Sequence, residues 1–121
     1  MTAEELVNGF IAAIEGGDLD AALGYLSAGC EYDNVPMSKV IGHDAIRETL
    51  TMFVGPDKKT DFEVVRQAAT GNVVINERID RIEVFGKRVE IPVAGVFEVA
   101  DGKITLWRDY FDLGAFNAQM A

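Results

Sequence analysis

The chain has 121 residues, 49% of them hydrophobic, with 11 basic against 20 acidic side chains and a formal net charge of −9. That length suits one domain spanning residues 1–121 with a core of its own, and the apolar content excludes a disordered chain. A single cysteine excludes an internal disulfide framework, and the negative field disfavours nucleic acid, anionic lipid surfaces and phosphorylated substrates.

Thr2 with Glu5 three residues on forms a capping-box signature, and Leu6, Phe10, Ile11 and Ile14 recur behind it at helical spacing. Gly16-Gly17 ends this first helix, and Asp18 caps a second one carrying Leu19, Ala22, Leu23 and Leu26. Cys30 to Val35 reads as a short extended piece stopped by Pro36, with Cys30 a small apolar filler. A third helix is expected from His43 to about Val54, with Ile46, Leu50 and Phe53 on one side, broken by Gly55-Pro56-Asp57. After Thr60 the period changes from helical to two. Strands are expected at Asp61–Ala69, Val73–Phe85, Arg88–Val99 and Lys103–Phe111, joined by short Gly-bearing turns of hairpin type. A last helical segment at Ala115–Met120 closes the chain. Helices first and strands later predict an α+β fold, with a curved, mainly antiparallel sheet wrapped around helices as a cone and an interior able to hold a small ligand. No stretch approaches the ~20 apolar residues of a membrane helix. The acidic start also lacks the basic and apolar segments of a signal peptide, so a cytoplasmic location is expected.

Side chains alternate across a strand, so residues of equal parity share a face. In the third long strand the row Val89, Ile91, Val93, Gly95, Phe97, Val99 is apolar throughout and must face the core. In the last strand Asp109 lies between Trp107 and Phe111 on its own face. A carboxylate between two aromatics is either paired or poorly solvated, unless that whole row faces water and the Arg108 row lies inside. Both rows hold apolar residues, so parity alone leaves the two open. In the second long strand Arg78 and Asp80 project the same way within the row Val74, Asn76, Arg78, Asp80, Ile82, Val84. They form either a buried charged pair or a solvated ion pair worth little to stability. Tyr32 and Asn34 also share a face, and on their own could be an ordinary strand edge running into the Pro36 turn.

His43 is the only histidine and begins a helix beside Gly42 and Asp44, where a capping or surface role fits better than catalysis. One His and one Cys argue against a transition-metal centre, and no clustered carboxylate spacing supports Mg²⁺. A Gly-x-Ser-x-Gly elbow, a P-loop and a Gly-x-Gly-x-x-Gly turn are all missing from the sequence.

Tyr32-Asp33-Asn34, Glu77-Arg78-Ile79-Asp80, Gly95-Val96-Phe97 and Trp107-Arg108-Asp109-Tyr110-Phe111-Asp112, in this order, resemble the limonene-1,2-epoxide hydrolase family. That family is a branch of the cone-shaped fold shared with nuclear transport factor 2 and ketosteroid isomerase, often called NTF2-like or SnoaL-like. The likeness covers nearly the whole chain. It implies an aspartate–arginine–aspartate triad at Asp80, Arg78 and Asp109 and two water-holding residues at Tyr32 and Asn34. It also implies a homodimer that needs no cofactor. The tight Phe85-Gly86-Lys87 turn, and the lack of a longer N-terminal extension found in some relatives, bear on pocket shape and substrate.

Opening an epoxide with water requires a base to take a proton from the attacking water and an acid to give one to the departing oxygen. Two carboxylates can divide these roles if their environments push their pKa values apart. On the family pattern Asp109 is the base, Asp80 the acid, and Arg78 binds both through its forked donors. Ile82, Ile91, Val93, Phe111 and Phe116 are candidates for the apolar lining, with plain core packing open for each. Two rivals stand beside this reading. One is a ketosteroid isomerase-like or polyketide cyclase-like enzyme, which a fixed cation between two aspartates fits poorly. The other is a non-catalytic binding or dimerisation module on the same fold.

Overall fold

Thr2 and Glu5 open the first helix in the computed structural model, which describes residues 1–121. The Glu5 amide donates to Thr2 Oγ1 at 3.1 Å and the Thr2 amide to Glu5 Oε1 at 2.9 Å. They start α1 (Ala3–Glu15), whose Leu6, Val7, Phe10, Ile11 and Ile14 are buried. Gly17 follows at φ 72°, where a Cβ would stand 2.6 Å from the Gly55 carbonyl oxygen, so glycine is required there. Asp18 caps α2 (Leu19–Gly24) by accepting from the Ala21 amide at 3.0 Å.

Leu26, expected on the second helix, instead begins β1 (Leu26–Asn34). Its strand pairing with Ile104, and the bond from the Ile104 amide to the Tyr25 carbonyl, override the local helical spacing. The strand β2 (Lys39–Ile41) was not anticipated. At three residues it is too short to show a period, and it exists only through its pairing with Glu31–Asp33. α3 (His43–Leu50) is shorter than expected. The amides of Phe53 and Val54 both close on the Leu50 carbonyl, so the apolar spacing continues through a buried turn ahead of Gly55-Pro56. His43 does not cap this helix. Gly42 stands at the cap, and His43 Nε2 lies 2.9 Å from the Leu26 carbonyl oxygen, tying the helix start to β1.

Four long strands follow: β3 (Asp61–Thr70), β4 (Val73–Val84), β5 (Lys87–Ala100) and β6 (Lys103–Tyr110). α4 (Leu113–Met120) begins two residues before the expected start, because Asp112 accepts from the amides of Gly114 and Ala115. The six strands form one sheet in the order β2-β1-β6-β5-β4-β3. All neighbours are antiparallel except β1 and β6, which run parallel, so the sheet is mixed and the fold is α+β. α1 lies across the inner face, bringing Phe10 edge-on to Trp107 and Phe97. No helix is long and apolar enough to cross a membrane.

Two features of the sheet set up its interior. The even row of β4 is buried from Val74 to Val84, polar members included, so Arg78 and Asp80 are not a solvated surface pair. On β6 the pairing steps from Glu98–Leu106 to Val99–Ile104, leaving Thr105 as an extra residue. This bulge switches parity within the strand. Ile104 and Trp107, of opposite parity, can therefore both be buried, and the Asp109 face is the inner one.

Candidate active site

Strand pairing gathers polar residues of β1, β4 and β6 at one place, around apolar residues and a glycine of β5. Asp109 on β6 is paired with Asn34 of β1 on one side and with Gly95 of β5 on the other. Gly95 in turn pairs with Asn76 of β4, and Val93 and Ile91 pair with Arg78 and Asp80. The parallel pairing of β1 with β6 carries Tyr32 and Asn34 to the carboxylate from far back in the sequence.

Arg78 is completely buried, and Asp80 and Asp109 are nearly so. Its Nε donates to Asp80 Oδ1 and its Nη2 to Asp80 Oδ2, both at 3.0 Å. The same Nη2 donates to Asp109 Oδ2 at 2.9 Å. One guanidinium thus holds both carboxylates with charge-assisted bonds. The Phe62 ring covers it, with its centroid 5.0 Å from Cζ. Asp109 Oδ1 accepts a second donor, Trp107 Nε1, at 2.9 Å. Trp107 stacks on Tyr32 at 3.8 Å and 9°.

Burial raises the Asp80 carboxyl to about 6, outweighing the charge and hydrogen bonds of Arg78, which pull it down; Asp109 beside it pushes in the same direction as burial. Burial alone would lower Arg78, but the charges of Asp109 and Asp80 overcome it and hold the guanidinium protonated. Burial, then the Asp109 charge, raise the Tyr32 hydroxyl, so it remains a phenol able to donate. Burial likewise lifts the Cys30 thiol to about 12, in keeping with a packing role.

Asp80, Asp109, Tyr32 and Asn34 border a cavity of about 180 Å³. The wall is mostly apolar and includes Ile82, Ile91, Val93, Phe111 and Phe116. Arg78 does not reach the cavity; it lies behind the carboxylates. Part of the wall was not expected from the sequence: Met37 from the loop after β1, Met52 and Phe53 from the turn after α3, and Phe62 from β3. Sequence reasoning also missed the roles of Trp107 Nε1, Asn76 and Gly95. Asn76 was legible as a polar residue in the Arg78 row, and Gly95 as the one position without a side chain in an apolar inward row. No three His, Cys, Asp or Glu side chains gather at a spacing that could hold a metal ion.

Residues 1–121 match the limonene-1,2-epoxide hydrolase catalytic domain. The chain belongs to the limonene-1,2-epoxide hydrolase family. It is 39% identical over 109 residues to epoxide hydrolase EphG of Mycobacterium tuberculosis (strain ATCC 25618 / H37Rv), covering 88% of this chain and 71% of EphG. A solved structure of an LEH-like epoxide hydrolase from M. tuberculosis superposes with a TM-score of 0.84 at 34% identity, covering 98% of this chain and 89% of that one. An NTF2-like protein of unknown function from Cytophaga hutchinsonii superposes at 0.78 with 25% identity, over 97% and 96% of the two chains. The limonene-1,2-epoxide hydrolase fold seen here is thus of the NTF2-like kind.

Proposed function

We propose that this member of the limonene-1,2-epoxide hydrolase family adds water to a small apolar epoxide, of the limonene-oxide kind, to give a vicinal diol in one general acid–base step. The observation that carries the reading is one buried guanidinium bound to two carboxylates that both face an apolar cavity. Asp109 takes the proton from water. Tyr32 and Asn34 hold that water and aim its lone pair at a ring carbon. Asp80, raised towards neutrality by burial, donates its proton to the epoxide oxygen as the C–O bond breaks. Water supplies the new C–O bond directly, so no ester to the protein forms. The proton gained by Asp109 then returns to Asp80, and Arg78 keeps the two carboxylates in place for the exchange. The residues supply acid, base and charge among themselves, and the proposed reaction requires no cofactor.

The cavity volume supports a small substrate. The cavity's mostly apolar wall favours a hydrocarbon epoxide over a polar one. Ile82, Ile91, Val93, Phe111 and Phe116 are proposed to grip its hydrocarbon part. Residues 1–121 are read as one catalytic domain. A homodimer is proposed on the outer face of the sheet, where Ile75, paired with Val96, and Tyr110, paired with Ala94, are about half exposed.

A panel of cyclic epoxides incubated with the purified protein, with diols resolved by chromatography, tests the reading. Diol formation above the buffer rate is expected for at least one small cyclic epoxide. Turnover of an unsaturated ketosteroid with no diol from any epoxide would favour the isomerase reading instead.

A further inference from the structure

Behind Arg78 runs a line of side chains that the proposed reaction does not use. Nη1, the nitrogen that serves neither aspartate, donates to Asn76 Oδ1 at 3.0 Å. Asn76 Nδ2 donates to Gln67 Oε1 at 3.1 Å. Gln67 Nε2 donates to Glu4 Oε2 and to Asn8 Oδ1, each at 3.0 Å. The line crosses from α1 through β3 to the centre of β4.

This line has a direction. A guanidinium can only donate, and an ionised carboxylate can only accept. Two amides strung between them have one orientation that satisfies both ends. Glu4 therefore sets Gln67, and Gln67 sets Asn76 so that its oxygen faces the site. Asn76 is 1% exposed, so neither of its polar atoms has water as a substitute. The room for the guanidinium comes from Gly95, the cross-strand partner of Asn76. A Cβ there would overlap Arg78 Nη1 and stand 2.9 Å from Asn76 Oδ1 and 3.0 Å from Asp109 Oδ1.

We propose that Asn76 is a positioning residue for the hydrolysis: its oxygen, oriented by Gln67 and Glu4, occupies Arg78 Nη1 and so keeps Nε and Nη2 turned to the two aspartates. The inference rests on the acid–base reading of the site given above. Without that acceptor Nη1 is buried and unpartnered. The guanidinium then gains by pivoting, and its contacts to Asp80 and Asp109 loosen. Less cationic support favours the neutral acid, so Asp80 holds its proton to higher pH. Misplaced carboxylates slow the chemical step. Substrate binding is barely touched, because Asn76 does not border the cavity.

Asn76→Val and Asn76→Thr separate this role from packing. The two replacements have nearly the same shape, but only the threonine hydroxyl can donate to Gln67 while accepting from Arg78. The readouts are the carboxyl carbon titration of Asp80 by NMR, and kcat and KM on an epoxide. Asn76→Val should raise the Asp80 midpoint by roughly half a pH unit or more. It should lower kcat about tenfold with KM changed less than about twofold, and Asn76→Thr should recover most of both. An Asp80 midpoint and kcat unchanged in Asn76→Val would overturn the proposal, as would equal losses in the two variants. If Asn76→Val does not fold, Gln67→Leu at the partly exposed next link decides, with a smaller shift in the same direction expected and no shift overturning the proposal. Should the unmodified protein open no epoxide at all, the acid–base reading fails, while the Asp80 titration still judges Asn76.

Discussion

Arg78 stands in a place where a single charge would be costly. Taking an ion out of water costs several kcal/mol even after relaxation, and only close opposite charges offset it. With both aspartates ionised the trio would carry a net negative charge in an apolar interior. One shared proton makes it neutral, which is the physical sense of Asp80 being raised to about 6. An active form with Asp80 protonated loses turnover as pH rises through about 6, because the acid is then spent. The pH dependence of kcat should therefore show a falling basic limb, read from initial rates across a buffer series. The stability sign is the same. A carboxyl raised in the folded state binds more protons folded than unfolded, so its contribution is present below about 4 and fades as pH climbs through about 6. In urea unfolding, Asp80→Asn should gain stability relative to the unmodified protein across that window. It should also lose about 10²–10⁴-fold in kcat, as should Asp109→Asn, because each removes one half of the proton traffic. Near-normal turnover by either purified variant would contradict the assignment.

At the scale of elements, the site is a product of sheet register. The β1–β6, β6–β5 and β5–β4 pairings set Asn34, Asp109, Gly95 and Asn76 side by side across four strands. A Cβ at Gly95 would fill the space of Arg78 Nη1, so Gly95→Ala should displace the guanidinium. The expected result is a large loss of kcat together with a lowered unfolding midpoint, since overpacking a filled core costs about 1–3 kcal/mol. An Ala variant with unchanged kcat would show that the guanidinium has room to move. Much of this architecture could be read in the sequence. The Thr2–Glu5 box, the Asp18 cap and the inward rows of β4 and β5 all follow from spacing. The final strand could not be read from parity, because the bulge at Thr105 changes parity within the strand and depends on a partner. For the same reason β2 and the true place of Leu26 were hidden: each exists through pairing with a distant segment. The triad residues were visible as charges in apolar rows. Their shared guanidinium geometry, the Trp107 bond to Asp109 and the Asn76–Gln67–Glu4 line were not, since they join residues far apart in the chain.

The whole molecule presents two unlike faces. Inside, helices and aromatic rings line a mostly apolar hollow beside the acid–base pair. Outside, the sheet carries exposed Ile75 and Tyr110 among salt-bridged charges such as Arg81 with Asp61, Glu63 and Glu90. A homodimer through this outer face should give twice the monomer mass in sedimentation, and Ile75→Glu should halve it by placing like charges across the interface. A monomer at all workable concentrations would remove the dimer from the account.

Water, and not a side chain, is the group proposed to attack the ring. A single turnover in oxygen-18 water with enzyme in excess over epoxide decides it by mass spectrometry of both products. Direct attack places one labelled oxygen in the diol and none in the protein; label in Asp80 or Asp109 with an unlabelled diol would mean a covalent ester, and the acid–base mechanism would be wrong.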